Sequence, residues 1–259
     1  MRSTVADARL VERGLASLVE ALRRVARLSE RGAIEEHDNV ISIATGMPVP
    51  AFNPTFVVRP PRDPAGALQR VRDFYTRYGL VGEVNAWDDT AHAIADAAPA
   101  AGLVAGHRIP CLLLAPLLST LPTVPGLQVQ RVDDAATLLR FNDVCAEVFG
   151  LERQVIAVFD DPRVLEMPGS ALHLGLVDGT PIATAWSYCI DDVVLLFNIT
   201  TLDSHRRRGI GEAMTWRALH DGLAQGCELA FLQSTSAGRP LYERMGFGHG
   251  VDLQTWSLP

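Results

Sequence analysis

Lysine is missing from this chain altogether. All 23 strongly basic side chains among its 259 residues are arginines. That excludes a phosphate loop of the G-x-x-x-x-G-K type, a Schiff-base lysine and a pyridoxal-phosphate lysine. Neither an H-E-x-x-H helix nor a G-x-S-x-G nucleophile turn occurs. Cysteine is scarce: Cys111, Cys145, Cys189 and Cys227 lie far apart with no paired spacing. No disulfide framework and no metal site are expected, and a reduced, cytoplasmic protein follows. Long apolar runs are lacking too. The most apolar stretch, 109–121, is short and broken by Pro110 and Pro116, so no membrane span is expected. Arg2, Asp7, Arg9, Glu12 and Arg13 leave no room for the apolar core of a signal peptide. A basic surplus is absent, the formal net charge being -7, and no basic-aromatic patch stands out. Nucleic acid is therefore not an expected partner.

What is present suits a soluble globular chain with a sizeable core: 48% hydrophobic and 20% charged residues, enough for one large domain or two small ones. Against the acidic background stands one basic island, Asp203-Ser204-His205-Arg206-Arg207-Arg208-Gly209-Ile210-Gly211. A β-branched and aromatic run from Val193 to Thr201 leads into it, and a helical pattern leaves it. It reads as strand, glycine loop, helix N-terminus. The first turn of a helix leaves N–H groups without intrahelical partners, and the macrodipole adds roughly half a positive charge there. Such an end is an anion site. Gly209 and Gly211 let a phosphate approach the backbone, and the three arginines add charge and bidentate donors. A solvated arginine loop with a glycine turn is the plainer alternative.

Helical periodicity covers 5–28, 63–78 (Asp63 as N-cap, Pro64 after it), 90–98, 133–149 with Asp133 as cap, 155–165 interrupted by Pro162, 210–224 and 240–245. Strands are expected at 38–45, 55–58, 83–87, 108–114, 127–132, 171–177, 182–190, 193–201, 228–232 and 251–257. The segment 116–126 holds three prolines and reads as a linker. The expected division is 1–115, the linker 116–126, and 127–259.

With these elements in place, the second half resembles the GNAT superfamily of N-acyltransferases. That family's loop reads Gln/Arg-x-x-Gly-x-Gly/Ala, which Arg206-x-x-Gly209-x-Gly211 fits. Downstream, Leu241-Tyr242-Glu243-Arg244-Met245-Gly246-Phe247 is similar to the family's late signature. The match covers roughly 193–247. The resemblance implies an α+β fold, a mixed and mostly antiparallel sheet flanked by helices. It implies acetyl-CoA as co-substrate, no metal, and an amine acceptor. Backbone groups of Ile199, Thr200 and Thr201 would line the pantetheine arm. Arg206, Arg207, Arg208, Gly209, Ile210 and Gly211 would hold the pyrophosphate, and Thr235 would also touch the cofactor. The thioester would lie where the 193–201 and 228–232 strands splay.

Tyr242 would be the general acid, because a tyrosine with its ordinary pKa of about 10 is protonated at neutral pH and can donate to a leaving thiolate. No general base stands out among Asp191, Asp192, His173, Glu212 and Asn198. The expected activity is acetyl transfer to a primary amine by direct attack, in a monomer or homodimer. A non-catalytic acyl-CoA sensor on the same fold is the alternative. A nucleotide binder of another class is disfavoured by the missing lysine and the late signature.

The first half overlays the second at one constant offset. Gly82 falls on Gly226, Ala86 on Ala230, Trp87 on Phe231, and Gly102-Leu103 on Gly246-Phe247. Two GNAT-like halves are expected, the first degenerate. There Ala98 stands at the place of Tyr242, and Pro60-Pro61-Arg62-Asp63-Pro64 replaces the glycine loop. Prolines lack the N–H donors a phosphate needs.

Overall fold

A computed structural model describes residues 7–118, 120 and 122–258. In chain order the elements are α1 (Ala8–Ala26), β1 (Ala33–His37), β2 (Val40–Ala44), β3 (Pro54–Val57), α2 (Pro64–Tyr78), β4 (Glu83–Ala86), α3 (Asp88–Ala95) and β5 (Val104–Leu114). The second half continues with β6 (Gln128–Arg131), α4 (Ala135–Phe149), β7 (Ser170–Val177), β8 (Thr180–Ile190) and β9 (Val193–Thr201). It closes with α5 (Ile210–Ala224), β10 (Leu229–Gln233), α6 (Arg239–Arg244) and β11 (Gly248–Ser257).

Local chemistry explains most of the boundaries. Asp63 caps α2 by accepting from the Gly66 N–H at 3.0 Å, with Pro64 behind it, and the helix stops at left-handed Gly79. In α4 the cap is Asp134 and not Asp133. Its carboxylate accepts from the Thr137 N–H at 2.7 Å, and the Thr137 hydroxyl lies 3.4 Å from the Asp134 N–H in return. Two 3-10 stretches, Arg153–Asp160 and Pro162–Glu166, stand where helix was expected over 155–165; Asp161 caps the second. The strand expected over 38–45 is β2, Val40–Ala44, and the first two residues of that span form a hairpin turn. Asp38 and Asn39 take left-handed φ values of 47° and 66° in the turn, and β1 precedes it.

Two compact units partition the chain. One comprises the stretch up to Leu18 and Leu112–Gly250; the other comprises Val19–Cys111 and the stretch from Val251. The first carries strands in the order β5-β10-β9-β8-β7-β6, and the second β1-β2-β3-β4-β11-β5. β5 ends the first half of the sequence, yet its last residues run beside β10. β11 ends the second half, yet from Val251 onward it pairs with β4, Trp256 opposite Val84. The expected repeat is visible in each half: β3-α2-β4-α3-β5 and β9-α5-β10-α6-β11, with β3 parallel to β4 and β9 parallel to β10.

Within the unit that holds the glycine loop, β6 to β9 are antiparallel neighbours. α5 packs on one face of β8 and β9, α4 on the other. The α5 side closes over a core of Ala183, Ala185, Val194, Leu196, Met214, Ala218 and Leu219, all buried. On the α4 side Trp186 lies against Phe197, Tyr188 and Phe159, and its indole N–H donates to the Ser170 hydroxyl at 2.8 Å. Trp216 is buried in the same core.

Candidate active site

The loop between β9 and α5 has the backbone of an anion cradle. Arg207 and Gly209 both take left-handed φ, 63° and 79°, and Gly209 is the N-cap of α5. No side chain caps this helix, so its first N–H groups have no side-chain partner. A Cβ at Gly209 would find only Val124 Cγ2, at 3.6 Å; one at Gly211 would meet Leu241 Cδ2 at 3.4 Å and Thr201 Oγ1 at 3.7 Å. Packing therefore does not demand glycine at 211. Bare backbone leaves room for a ligand there.

The arginines divide their work. Arg206 donates from Nε to the Thr201 carbonyl at 3.2 Å and pairs with Asp203 at 2.7 Å, which fixes the loop onto the end of β9. Arg208 donates to the Ser204 carbonyl at 3.3 Å. Arg207 makes no side-chain hydrogen bond or ion pair among the described residues, and all three are exposed. Ile210 is buried, so only its backbone faces the loop.

β9 opens beside this loop. It pairs with β10 only at Val193, Val194 and Leu195, opposite Leu229, Ala230 and Phe231. From Leu196 to Thr201 it has no register partner on β10. On its other edge the register with β8 slips: Thr184 faces Thr200, but Trp186 faces Phe197, so β9 carries one extra residue. Asn198 sits in this bulge with φ 47°. An asparagine inside a β-branched strand tolerates that conformation best, and it was the one sequence signal for the bulge. Ile199 and Thr201 are half-buried at the opening, and Thr200 is buried.

Tyr242 lies on α6, whose Leu241 is the nearest side chain to the place a Cβ would take on Gly211 in the first turn of α5. Its ring meets Phe247 edge-on at 5.7 Å between centroids. Burial pushes its hydroxyl up to about 12. The hydroxyl makes no hydrogen bond among the described residues. Thr235 stands at the turn into α6. Its hydroxyl accepts from the Gly238 N–H at 3.0 Å and its carbonyl from the Gly238 and Arg239 N–H groups, so it shapes the turn into α6.

The polar residues weighed as bases scatter. Asp191 and Asp192 form the β8–β9 turn, at the opposite end of a nine-residue strand from the loop, about 25 Å away at 3.3 Å per residue. Asp192 pairs there with Arg13. His173 is buried and bonded to Asp221 at 2.7 Å. Asn198 is in the bulge and Glu212 in the first turn of α5. Among the described residues no cluster of His, Cys, Asp or Glu could hold a metal ion, and no helix is long and apolar enough to cross a membrane.

Residues 139–247 match the model of the acetyltransferase (GNAT) family. No curated protein sequence matches the chain significantly. Among solved structures, a GCN5-related N-acetyltransferase from Kribbella flavida superimposes with a TM-score of 0.75 at 20% identity, covering 99% of this chain and 96% of its own. One from Sphaerobacter thermophilus gives 0.63 at 13% identity, over 99% and 94%. A tandem GNAT protein from the clavulanic acid biosynthesis pathway gives 0.62 at 13% identity, over 98% and 95%. These likenesses carry the fold, two GNAT-like halves included, and the family model covers the loop, the splayed strands and Tyr242. Residues 139–247 are thus similar to the GNAT acetyltransferase family, and the chain as a whole has the GNAT fold.

Proposed function

We propose that the chain is an acetyl-CoA-dependent N-acetyltransferase acting on a primary amine in the cytoplasm, through the second half alone. The observation that carries this reading is the uncapped N-terminus of α5, with left-handed Arg207 and Gly209, set beside the unpaired stretch of β9. An anion cradle and an open strand edge next to one another suit a ligand with a pyrophosphate at one end and an amide-bearing arm at the other. N–H groups from Arg207 to Gly211 bind the pyrophosphate, and the guanidinium of Arg207 is available to it. Backbone groups of Ile199, Thr200 and Thr201 line the arm. Bound acetyl-CoA supplies the acetyl group as a thioester. The neutral amine nitrogen forms the new N–C bond as the C–S bond breaks; Tyr242 gives its hydroxyl proton to the leaving sulfur, the acylated nitrogen loses its extra proton to water, and Tyr242 regains a proton from water. The division into ancestral halves 1–115 and 127–259 belongs to the same proposal: the first half supplies β5 and the second β11 as exchanged last strands.

Calorimetry with acetyl-CoA, followed by a panel of amines assayed for release of free CoA thiol, tests the reading. Binding with turnover on at least one amine supports it. Binding without transfer to any amine, and with Tyr242 dispensable, points to an acyl-CoA sensor. Absence of binding rejects both.

A further inference from the structure

Three aromatic rings stand on one face of the sheet beside the opening of β9. Leu196 belongs to the core under α5, so its neighbour Phe197 points to the other face. Trp186 on β8 is the cross-strand partner of Phe197, and residues that face one another across strands share a face. Phe159, from the 3-10 stretch that follows α4, reaches the same indole. Ring centroids lie 5.4 Å apart for Trp186 and Phe197, tilted at 49°, and 6.2 Å apart for Trp186 and Phe159, edge-on at 77°. Trp186 is buried, whereas both phenylalanines are only half-buried. A buried indole thus carries two partly open phenyl rings.

Polar bonds hold each ring in place. The Trp186 indole N–H is tied to the Ser170 hydroxyl. Asn142 on α4 donates to the Phe159 carbonyl and to the Asp160 carboxylate, both at 2.9 Å. Arg153 joins Asp160 at 3.0 Å to Asp143 at 2.7 Å. Thr184 on β8 donates to the Asn198 carbonyl at 2.7 Å, which fixes β9 just past Phe197. Rings fixed in this way lose little freedom when a ligand covers them.

Their position gives them a use. Phe197 stands about 6–7 Å from Ile199 along the strand, at 3.3 Å per residue. The rings therefore begin a short spacer away from the arm that Ile199 would line. The α5 face of the opening is filled, because Leu196, Ile199 and Leu241 pack into the core there. An acceptor then approaches from the ring face, its nitrogen at the thioester and the rest of it over the rings. Asp160, beside Phe159, is already paired with Arg153, so that carboxylate calls for no second cationic group on the acceptor.

We propose that Phe159, Trp186 and Phe197 form the acceptor subsite, and that the acceptor is a primary amine joined by a short alkyl chain to an aromatic ring. The ring packs on the two phenylalanines. This inference rests on the acyl-CoA reading of the β9 edge. The transfer is the one already described: the N–C bond forms, the C–S bond breaks, the sulfur takes its proton from Tyr242, and the extra proton on nitrogen goes to water.

The test compares phenethylamine with ethanolamine, which share a primary amine on an ethyl chain and differ in phenyl against hydroxyl. Release of CoA thiol gives kcat/KM for each on the full chain. The wild type is expected to favour phenethylamine at least about tenfold, the effect of burying a phenyl ring. In Phe197→Leu and Phe159→Leu, each checked for folding by circular dichroism, that ratio is expected to fall about three- to tenfold, through a higher KM for phenethylamine. A merely structural role would lower both amines together and leave the ratio where it was. A wild-type ratio near one overturns the proposal, as does an unchanged ratio in either folded variant. Failure of both variants to fold makes the rings structural and also overturns it. Binding of acetyl-CoA with transfer to neither amine removes the inference and leaves the acyl-CoA reading intact. Absence of acetyl-CoA binding removes that reading, and the inference with it.

Discussion

Asp38 accepts hydrogen bonds through one carboxylate oxygen, Oδ2, from the backbone N–H of Arg62 at 2.7 Å and of Asp63 at 3.1 Å. Asp63 in turn accepts from Gly66. The start of α2, which corresponds in the repeat to the start of α5, thus has N–H groups already taken by two carboxylates of the chain itself. Their charges suit the helix dipole and repel a second anion. The strands agree: β3 and β4 are four residues each and pair at three positions, so no free edge extends beyond them. These carboxylates, beside the prolines, are the reason to expect no acyl-CoA in the first half. Titration should give one acetyl-CoA per chain, and Asp38→Ala should leave that stoichiometry unchanged; two sites of similar affinity would contradict it.

Gly209 separates backbone strain from charge. Its φ of 79° costs an L-residue about 1–2 kcal/mol. A Cβ there meets nothing closer than 3.6 Å. Gly209→Ala should lower the melting temperature slightly and weaken acetyl-CoA binding. Gly209→Asp should abolish binding, because it puts a negative charge in the anion cradle. Calorimetry on the two variants distinguishes them.

Tyr242→Phe should lower kcat by about 100-fold or more, the range for a lost general acid, and spare acetyl-CoA affinity. The phenyl ring keeps the edge-on contact with Phe247. Because burial raises the hydroxyl to about 12, Tyr242 stays protonated throughout the usable range. The pH profile of kcat should therefore show no alkaline limb from this residue below pH 10. Unchanged turnover in the phenylalanine variant would refute the assignment.

Asp221 on α5 gathers a buried network. It lies 2.7 Å from His173 on β7, accepts from Ser187 on β8 at 2.9 Å, and pairs with Arg217 one turn earlier at 2.6 Å. Burial works to raise its carboxyl, but these partners outweigh it and hold the group below the ordinary carboxylate range. A depressed folded-state pKa contributes stability that is present above the unfolded value of about 3.9 and lost as pH falls through the folded one. Asp221→Ala should cost about 1–3 kcal/mol at neutral pH, because it leaves the buried His173 ring and the Ser187 hydroxyl without that partner. It should also flatten the loss of stability seen on acidification. Urea melts at pH 7 and near pH 3 measure both effects.

Sequence alone determined what depends on neighbours a few residues apart. Glycine at a left-handed helix start, arginines beside it, an Asp-Pro helix cap at 63–64 and the Leu-Tyr-Glu-Arg-x-Gly-Phe run are local, because caps, turns and helix periods are set within one or two turns of chain. The repeat of the two halves was legible for the same reason. Short-range ambiguity produced the smaller errors: Asp133 and Asp134 are both good caps, and β1, with its Glu35-Glu36-His37, lacks the alternation that marks a strand. Tertiary structure decided which strand each strand lies beside. A β-strand carries no address for its partner in its own pattern, so the exchange of β5 and β11 left no trace in the sequence. It also decided which distant polar groups meet. Asp38 and Arg62 are 24 residues apart, Thr184 and Thr200 are 16, and His173 and Asp221 are 48. Hence the glycine loop and the helix that follows it were readable, while the carboxylates at the start of α2 and the hydroxyl bonded to the β9 bulge were not.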